Sequence, residues 1–228
     1  MTFESALRLT EILLGCALLQ QSLEHGLGPR DEQRIALPRA LLCVALALGL
    51  QPLLVEGLLL GLSALTLRRF DGPYNGGSDR MSVLILICLV LSHLAPTTRL
   101  QEASFGYLGL QLVLSYAMAG WVKAVNPEWR NGEALRKVFA RSAYPVAENL
   151  RALAGAPRLM HRLGWAVVLF EIAFPLALLN RSALAVALVL AALFHAANAC
   201  LFGLNRFLWI WLCAYPSLWW LQGRLFSA

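Results

Sequence analysis

Hydrophobic residues form runs of roughly 15 to 23 residues along the chain, separated by short polar stretches. Runs of this length are typical of membrane-spanning helices, which need about 20 apolar residues to cross the hydrocarbon core. The first run covers residues 3–23. The next apolar block, residues 37–67, is long for one helix and short for two, and Pro52 lies near its middle. Because proline removes a backbone donor and clashes with the preceding turn, we predict two short or tilted helices there.

The rest of the chain continues this pattern. Within the longest polar connection, residues 126–157, the stretch GEALRKVFAR has apolar residues at helical spacing, which favours a short helix at the membrane interface. The pattern therefore predicts an all-α fold, a polytopic transmembrane helical bundle of about eight helices in a single domain over residues 1–228. The last five helices are predicted over residues 80–95, 102–125, 159–179, 183–203 and 207–221.

Composition supports a multi-pass integral membrane protein. Hydrophobic residues make up 59% of the 228 residues and charged residues 14%, whereas a soluble domain has about a quarter charged residues. The net charge of +6 comes from arginines in the connections between apolar runs, so we expect lipid headgroups rather than nucleic acid as counter-ions. Because most of these arginines fall on one set of connections, that face is predicted to be cytoplasmic. The membrane is expected to be a bacterial inner membrane.

Ionisable residues inside the apolar runs are the main functional candidates, since a charge at the centre of a bilayer costs about 3 kcal/mol on insertion scales. For Glu11 the sequence favours an ion pair with a nearby arginine. Glu56 follows Pro52 by four residues and is expected at an exposed helix end, and His93 is expected to reach the interface. The candidates are Glu11, Glu56, His93, Lys123, Glu171 and His195.

Glu171 and His195 lie near the middles of two apolar runs, where a side chain cannot easily reach the interface. Two interpretations stay open, a buried structural network and a role in chemistry. In both, a carboxylate paired with an imidazole would satisfy each group. The five cysteines also lie inside apolar runs, without a CxxC pair or a His/Cys cluster at ligand spacing, so we predict packing roles for them and no metal site.

Lys123 lies where the apolar run 102–125 ends, just before Asn126 and Pro127. One interpretation is a lysine that snorkels to the interface at a helix C-terminus, where the helix dipole favours a cation. The other is an amine at the mouth of a cavity, desolvated enough to act as a base. The chain has seventeen arginines and two lysines, so ordinary interfacial charge is supplied by arginine, which favours a specific role for this lysine.

Four stretches, in order along the chain, resemble the HTTM superfamily, whose membrane region is shared by vitamin K-dependent gamma-carboxylase and many bacterial proteins. YAMAGWVKAVNPEWRNGEAL resembles its A-G-x-x-K…W-x-x-G segment, and FDGPYNGGSDRM its turn before the fourth helix. LGWAVVLFEIAFPLALL resembles its E-x-x-x-P helix, and ALFHAANACLFGLNRF its histidine helix. The resemblance extends from the first predicted helix to the last.

The resemblance implies a redox-linked membrane enzyme with a reduced quinone, menaquinone or vitamin K-like, as cofactor. In the carboxylase, a lysine that matches Lys123 is held to deprotonate vitamin K hydroquinone. Asp79, Glu171 and His195 are then candidate catalytic partners of this lysine. For binding the cofactor the candidates are Asn75, Gly76 and Gly77, whose backbone N–H groups would form an anion-binding nest, and Trp129, which would shape the loop beside the lysine. A plain turn, with Asp79 capping the next helix, is the alternative there.

Two departures from the carboxylase limit the expected activity. The turn at residues 74–77 has no histidine, and the chain ends shortly after its last predicted helix, so glutamate carboxylation by this chain alone is not expected. The second hypothesis is a non-enzymatic quinone-binding or anchoring subunit, which would dock a soluble redox or peptide partner on a basic face that includes Arg136, Lys137 and Arg141. A carrier ranks lowest, because the two halves of the chain show no half-helix repeat.

Overall fold

The computed structural model describes residues 1–28, 30–69, 76–141 and 151–226. These residues form ten α-helices and two short 3-10 helices, and no strand occurs among them. The predicted all-α fold is therefore confirmed. Eight of the helices are long, α1 (Phe3–Gly26), α2 (Arg30–Leu48), α3 (Pro52–Arg69), α4 (Gly76–Leu94), α5 (Thr98–Val125), α8 (Pro157–Ala173), α9 (Arg181–Phe202) and α10 (Asn205–Phe226).

Four short elements occupy the long polar connection and the end of α8. Helix α6 (Pro127–Arg130) and helix α7 (Glu133–Arg141) follow α5, which confirms the short helix predicted within GEALRKVFAR. A 3-10 turn (Ala152–Gly155) precedes α8, and a second 3-10 helix (Phe174–Leu179) continues it. The predicted break at Pro52 is also confirmed, since α3 begins at that residue.

Four helical segments are long and apolar enough to cross a membrane by length and composition. The chain is thus an integral membrane protein, with fewer clear spans in its described part than the eight expected from the sequence. Helix α3 contains a shorter apolar stretch, Pro52–Leu67. The four segments are Gly77–Leu94, Thr98–Val125, Pro157–Leu179 and Arg181–Phe202. Orientation in the membrane and the identity of that membrane stay predictions.

The chain divides into two compact units, and α5 contributes to both. The first unit contains Met1–Leu110 and Arg206–Ala228, and the second contains Gln111–Asn205. In the first unit α1 packs on α2, α2 on α3, and α3 on α4. Helices α1 and α2 approach closely at Gly15, where an added Cβ would lie 2.8 Å from the carbonyl oxygen of Cys43. That the whole chain is one domain stays a prediction.

The second unit is organised around α7 and α8. The amphipathic α7 buries Leu135 and Phe139 against Met160 of α8. The turn before α7 depends on Gly132, whose φ of +83° is a conformation that side-chain-bearing residues rarely adopt. A Cβ at this position would also lie 2.9 Å from the backbone of His161. The turn therefore fixes α6 and α7 against the start of α8.

Candidate active site

Helix α5 presents three residues of one motif on a single face within the second unit. Tyr116, Gly120 and Lys123 are spaced at i, i+4 and i+7, which places them one above the other on a helix. Each of the three contacts a different part of α8 or α9. This face of α5 therefore organises the predicted site residues of the second unit.

Lys123 forms an ion pair with Glu171 of α8. Its Nζ donates to both carboxylate oxygens, at 2.7 and 2.5 Å. The lysine side chain is 19% exposed and the glutamate side chain 4%. The Nζ also lies 5.3 Å from the centre of the Trp129 ring, within the range of a cation–π interaction. The amine is thus held by two partners rather than extended freely into solvent, as a snorkelling lysine would be.

Two local features bring this pair together. At Gly120 the helices α5 and α8 approach so closely that an added Cβ would lie 2.7 Å from the backbone nitrogen of Ile172. Pro175 has no N–H to donate to the carbonyl of Glu171, four residues earlier, and α8 changes to a 3-10 helix at Phe174. The A-G-x-x-K pattern of α5 and the E-x-x-x-P pattern of α8 therefore meet in one helix–helix contact.

Lys123 lines a cavity of about 680 Å³ that lies entirely within the second unit. Its lining is predominantly apolar and aromatic, with Lys123, Asn198 and the indole of Trp129 as the polar or amphipathic groups. A volume of several hundred Å³ with few polar groups is typical of small-molecule sites. The apolar lining includes Leu135, Phe139, Val167, Phe170, Phe194, Ala197, Leu201 and Phe202.

Trp129 is positioned by the short helix α6. Asn126 caps this helix by accepting a hydrogen bond from the Glu128 backbone N–H at 2.9 Å, and Pro127 occupies the first turn. Trp165 of α8 donates from its ring N–H to the carbonyl of Arg130 at 3.1 Å, which fastens α6 to α8. The predicted location of Trp129 beside the lysine agrees with the structure.

His195 has a different partner from the one that the sequence predicts. Its Nε2 lies 2.9 Å from the hydroxyl of Tyr116, and both side chains are buried. Tyr116 in turn stacks on Phe174, with ring centres 4.1 Å apart. The structure pairs Glu171 with Lys123 and His195 with Tyr116, so in place of the predicted Glu171–His195 pair each residue pairs with α5. Tyr116 was missed, although it stands seven residues before the lysine in the same motif.

Asp79 belongs to the first unit, in the first turn of α4. Its buried Oδ1 accepts a hydrogen bond from Gln21 Nε2 at 2.9 Å, and Gln21 Oε1 accepts from Arg39 Nη2 at 2.8 Å. Helix α4 begins at Gly76, four residues before the predicted start, so Asp79 lies inside the helix instead of capping it. Its convergence with Lys123 stays a prediction.

The turn predicted to bind the cofactor, residues 75–77, lies where the described part of the chain resumes. Asn75 falls outside the described residues, and Gly76 and Gly77 are the first two residues of α4. An added Cβ at Gly77 would lie 2.8 Å from the ring of Phe207, so this glycine permits close packing of α10 on α4 in the first unit. A role of these residues in binding a cofactor stays a prediction.

The remaining acidic candidates cluster in the first unit. Glu11 accepts a hydrogen bond from Arg8 at 2.6 Å, which confirms the predicted arginine partner. Glu56 is fully buried, so its predicted position at an exposed helix end is wrong. The reason is that α1 and α4 supply neighbours for the first turns of α3, among them His93, whose Nε2 is 3.5 Å from Glu56.

Part of the basic surface predicted to dock a partner is already paired within the chain. Arg136 lies 2.9 Å from Glu133, and Lys137 lies 2.5 Å from Glu128. The side chain of Arg141 lies outside the described residues. The two paired side chains leave less free positive charge on α7 than the sequence suggested.

Comparison with protein families agrees with the α5–α8 motif. The HTTM domain matches residues 97–220, more than half of the chain. The protein belongs to the HTTM family. This family of membrane domains is linked to vitamin K-dependent carboxylase. The HTTM match includes Lys123, Trp129, Glu171 and His195 but begins after the glycine turn, so the wider resemblance read from the sequence is not covered in full. Searches of curated proteins and of solved structures gave no match.

Proposed function

We propose that this HTTM protein is a membrane enzyme that acts on a hydroquinone or a similar lipophilic substrate in redox-linked chemistry. The observation that carries the proposal is the Lys123–Glu171 pair, whose lysine lines an apolar cavity of about 680 Å³. A charged pair without a ligand role would be simpler to maintain away from a cavity, because a cavity removes packing atoms from around it.

The cavity suits a molecule with an apolar body and one polar end. Phe170, Phe194 and Phe202 supply flat apolar surface for a ring or an isoprenoid tail, while Asn198 and Lys123 supply polar contacts. A reduced quinone has this character, and when bound it supplies two electrons and two protons. The aromatic surface and the two polar side chains of this cavity therefore suit such a cofactor.

The ion pair provides a place for a proton. Written as an ammonium and a carboxylate, the pair can accept one proton on a Glu171 oxygen while the Lys123 ammonium remains to stabilise negative charge at the polar end of the cavity. Written as a neutral amine and a carboxylic acid, the pair accepts the same proton on Nζ. The two residues therefore act as one proton-accepting unit, a role that lysine can fill and arginine cannot.

Tyr116 and His195 extend this polar arrangement along α5. Their hydrogen bond is buried, and stacking of Phe174 on Tyr116 fixes the phenol ring. In the proposed enzyme they are positioning residues that hold α5 and α9 in register beside the cavity. The second candidate function, a quinone-binding subunit that docks a soluble partner, uses the same cavity but requires no proton transfer by the pair.

Binding is tested first, with purified protein in nanodiscs. Mass spectrometry of the extracted lipid should detect a co-purifying menaquinone or ubiquinone. Ala197→Phe places a ring inside the cavity and should lower both the co-purified quinone and the affinity for a short-chain quinone. Val189→Phe adds the same ring to an exposed position of the same helix that does not line the cavity, and should leave both unchanged.

Catalysis is tested with an oxygen electrode. The wild-type protein should accelerate oxygen consumption by a short-chain hydroquinone, which is oxidised to the quinone while dioxygen is reduced to hydrogen peroxide. Lys123→Arg keeps the positive charge and removes the usable base, so it should reduce the rate by about 100-fold or more, the usual contribution of acid–base catalysis. Full activity of Lys123→Arg would reject the lysine as base. Normal quinone binding with no acceleration by any variant would leave the docking subunit as the function.

A further inference from the structure

Three ionisable side chains from three helices converge in the first unit. Glu11 belongs to α1, Glu56 to α3 and His93 to α4, and one ligand atom of each lies within 4.8 Å of the other two. The Nε2 of His93 is 2.9 Å from Glu11 Oε1 and 3.5 Å from Glu56 Oε1. A single imidazole nitrogen therefore faces two carboxylates.

Hydrogen bonding satisfies only one of these carboxylates. Glu11 accepts a hydrogen bond from Arg8 on one carboxylate oxygen and contacts His93 Nε2 through the other. Both oxygens of Glu56 are buried and have no hydrogen-bond partner among the described residues. His93 Nε2 carries at most one proton, and its shorter contact directs that proton to Glu11. A buried carboxylate without a donor is strongly unfavourable, so a cation bound between Glu56 and its two neighbours would stabilise the site.

We propose that Glu11, Glu56 and His93 bind one divalent first-row transition-metal ion. Nitrogen and oxygen ligands at about 2.1 Å from a metal lie roughly 3.0 Å apart at a right angle and roughly 3.4 Å apart at a tetrahedral angle. The separations of 2.9 and 3.5 Å from His93 Nε2 to the two carboxylates match this spacing. The metal takes the place of the Nε2 proton and coordinates Glu56, whose oxygens otherwise have no donor among the residues described.

The surroundings support the ligands and give access to the site. Arg8 donates to Glu11 Oε2 at 2.6 Å and to the Leu46 carbonyl at 2.9 Å, which fixes the orientation of the carboxylate as an outer-shell partner does in metalloproteins. His93 lies in the last turn of α4, and its side chain is 26% exposed. An ion can therefore enter beside the imidazole without separation of the helices.

The test measures metal stoichiometry in the full-length protein, purified through a tag without histidine and stripped with a chelator. After equilibration with Zn²⁺ and removal of free ion by gel filtration, inductively coupled plasma mass spectrometry should find one zinc per wild-type chain. Glu56→Gln, which keeps the shape of the side chain, should weaken zinc binding by at least about tenfold, a loss that even outer-shell changes can cause. Glu24→Gln removes a carboxylate paired with Arg206 in the same unit and should still bind one zinc.

A second readout keeps the test independent of folding defects. Zn²⁺ should raise the unfolding temperature of the wild type and of Glu24→Gln, and should raise that of Glu56→Gln and of His93→Gln clearly less at the same zinc concentration. Wild-type protein that retains no zinc would overturn the proposal, as would equal zinc binding by the wild type and by a folded Glu56→Gln. If Glu56→Gln does not elute as a folded protein, zinc binding by His93→Gln is compared with that of the wild type instead. Equal zinc binding by these two proteins would also overturn the proposal.

Discussion

The two buried ionic clusters of this protein differ in how completely their charges are matched. In the second unit, the Lys123 ammonium donates to both oxygens of Glu171, and Lys123 lines a cavity. In the first unit, two carboxylates share one imidazole, and Glu56 has no hydrogen-bond donor among the described residues. The matched pair is complete by itself and has space beside it for a ligand. In the unmatched cluster the oxygens of Glu56 have no donor among the described residues, and a bound cation would complete their contacts.

The difference teaches that burial alone does not identify the role of an intramembrane charge. A complete pair can exchange a proton with a neighbouring molecule, whereas an incomplete set of carboxylates is completed by a proton or a metal ion. Substitutions that neutralise one charge should therefore have opposite effects on the stability of the two clusters. This expectation gives direct ways to test the comparison.

The largest effect is expected from breaking the matched pair. Lys123→Met or Glu171→Leu alone should lower the free energy of unfolding by about 3 kcal/mol, because each leaves one largely buried charge without its partner. The double variant should lose clearly less than the sum of the two, since no uncompensated charge remains. Equilibrium unfolding in mixed micelles measures all three. Additive losses would show that the two residues do not act as a pair.

The next effect concerns the close approach that brings the pair together. Gly120→Ala should destabilise the protein by about 1–3 kcal/mol, because the new methyl group would meet the backbone of Ile172 and force α5 away from α8. Gly57→Ala is a matched control beside Glu56, since no neighbouring helix or side chain lies within 4 Å of the position that its methyl group would take. It should instead stabilise α3 by roughly 0.5–1 kcal/mol. Equal effects of the two substitutions would contradict the tight contact at Gly120.

These contacts show what the sequence could and could not predict. The apolar runs located the cores of the long helices, but α2 and α4 begin at Arg30 and Gly76, well before their apolar parts. Hydrophobicity marks the segment that needs an apolar environment, whereas a helix continues into water as long as its backbone hydrogen bonds are satisfied. Helix ends were therefore predicted less well than helix centres.

The sequence predicted which residues belong to the candidate site, but not which residues they pair with. Lys123, Glu171 and His195 were recognised because ionisable groups are rare in apolar runs. Their pairing depends on which helix faces come together, which no local pattern specifies, and so Tyr116 was overlooked. The cluster of Glu11, Glu56 and His93 was missed for the same reason, since its members come from three helices and have no ligand spacing along the chain.

A smaller effect, opposite in sign to the first, is expected in the unmatched cluster. In chelator-treated protein, Glu56→Gln should leave the free energy of unfolding unchanged or raise it by about 1 kcal/mol, because it removes a buried negative charge that lacks a donor. Equilibrium unfolding in the same mixed micelles provides the comparison with Glu171→Leu. A loss as large as that of Glu171→Leu would mean that Glu56 is already matched, and the contrast between the clusters would disappear.

The smallest effect is expected from the second lysine of the chain, which is the natural control for the first. Lys137 makes an ion pair with Glu128 at 2.5 Å, a contact as short as that of Lys123, but the two side chains are 42% and 52% exposed. Water already solvates both groups, so Lys137→Met should change the free energy of unfolding by no more than about 0.5 kcal/mol. The same substitution at two equally short ion pairs thus isolates burial as the cause of the difference. A loss at Lys137 comparable with that at Lys123 would show that α7 depends on this pair, and burial would no longer explain why Lys123 matters.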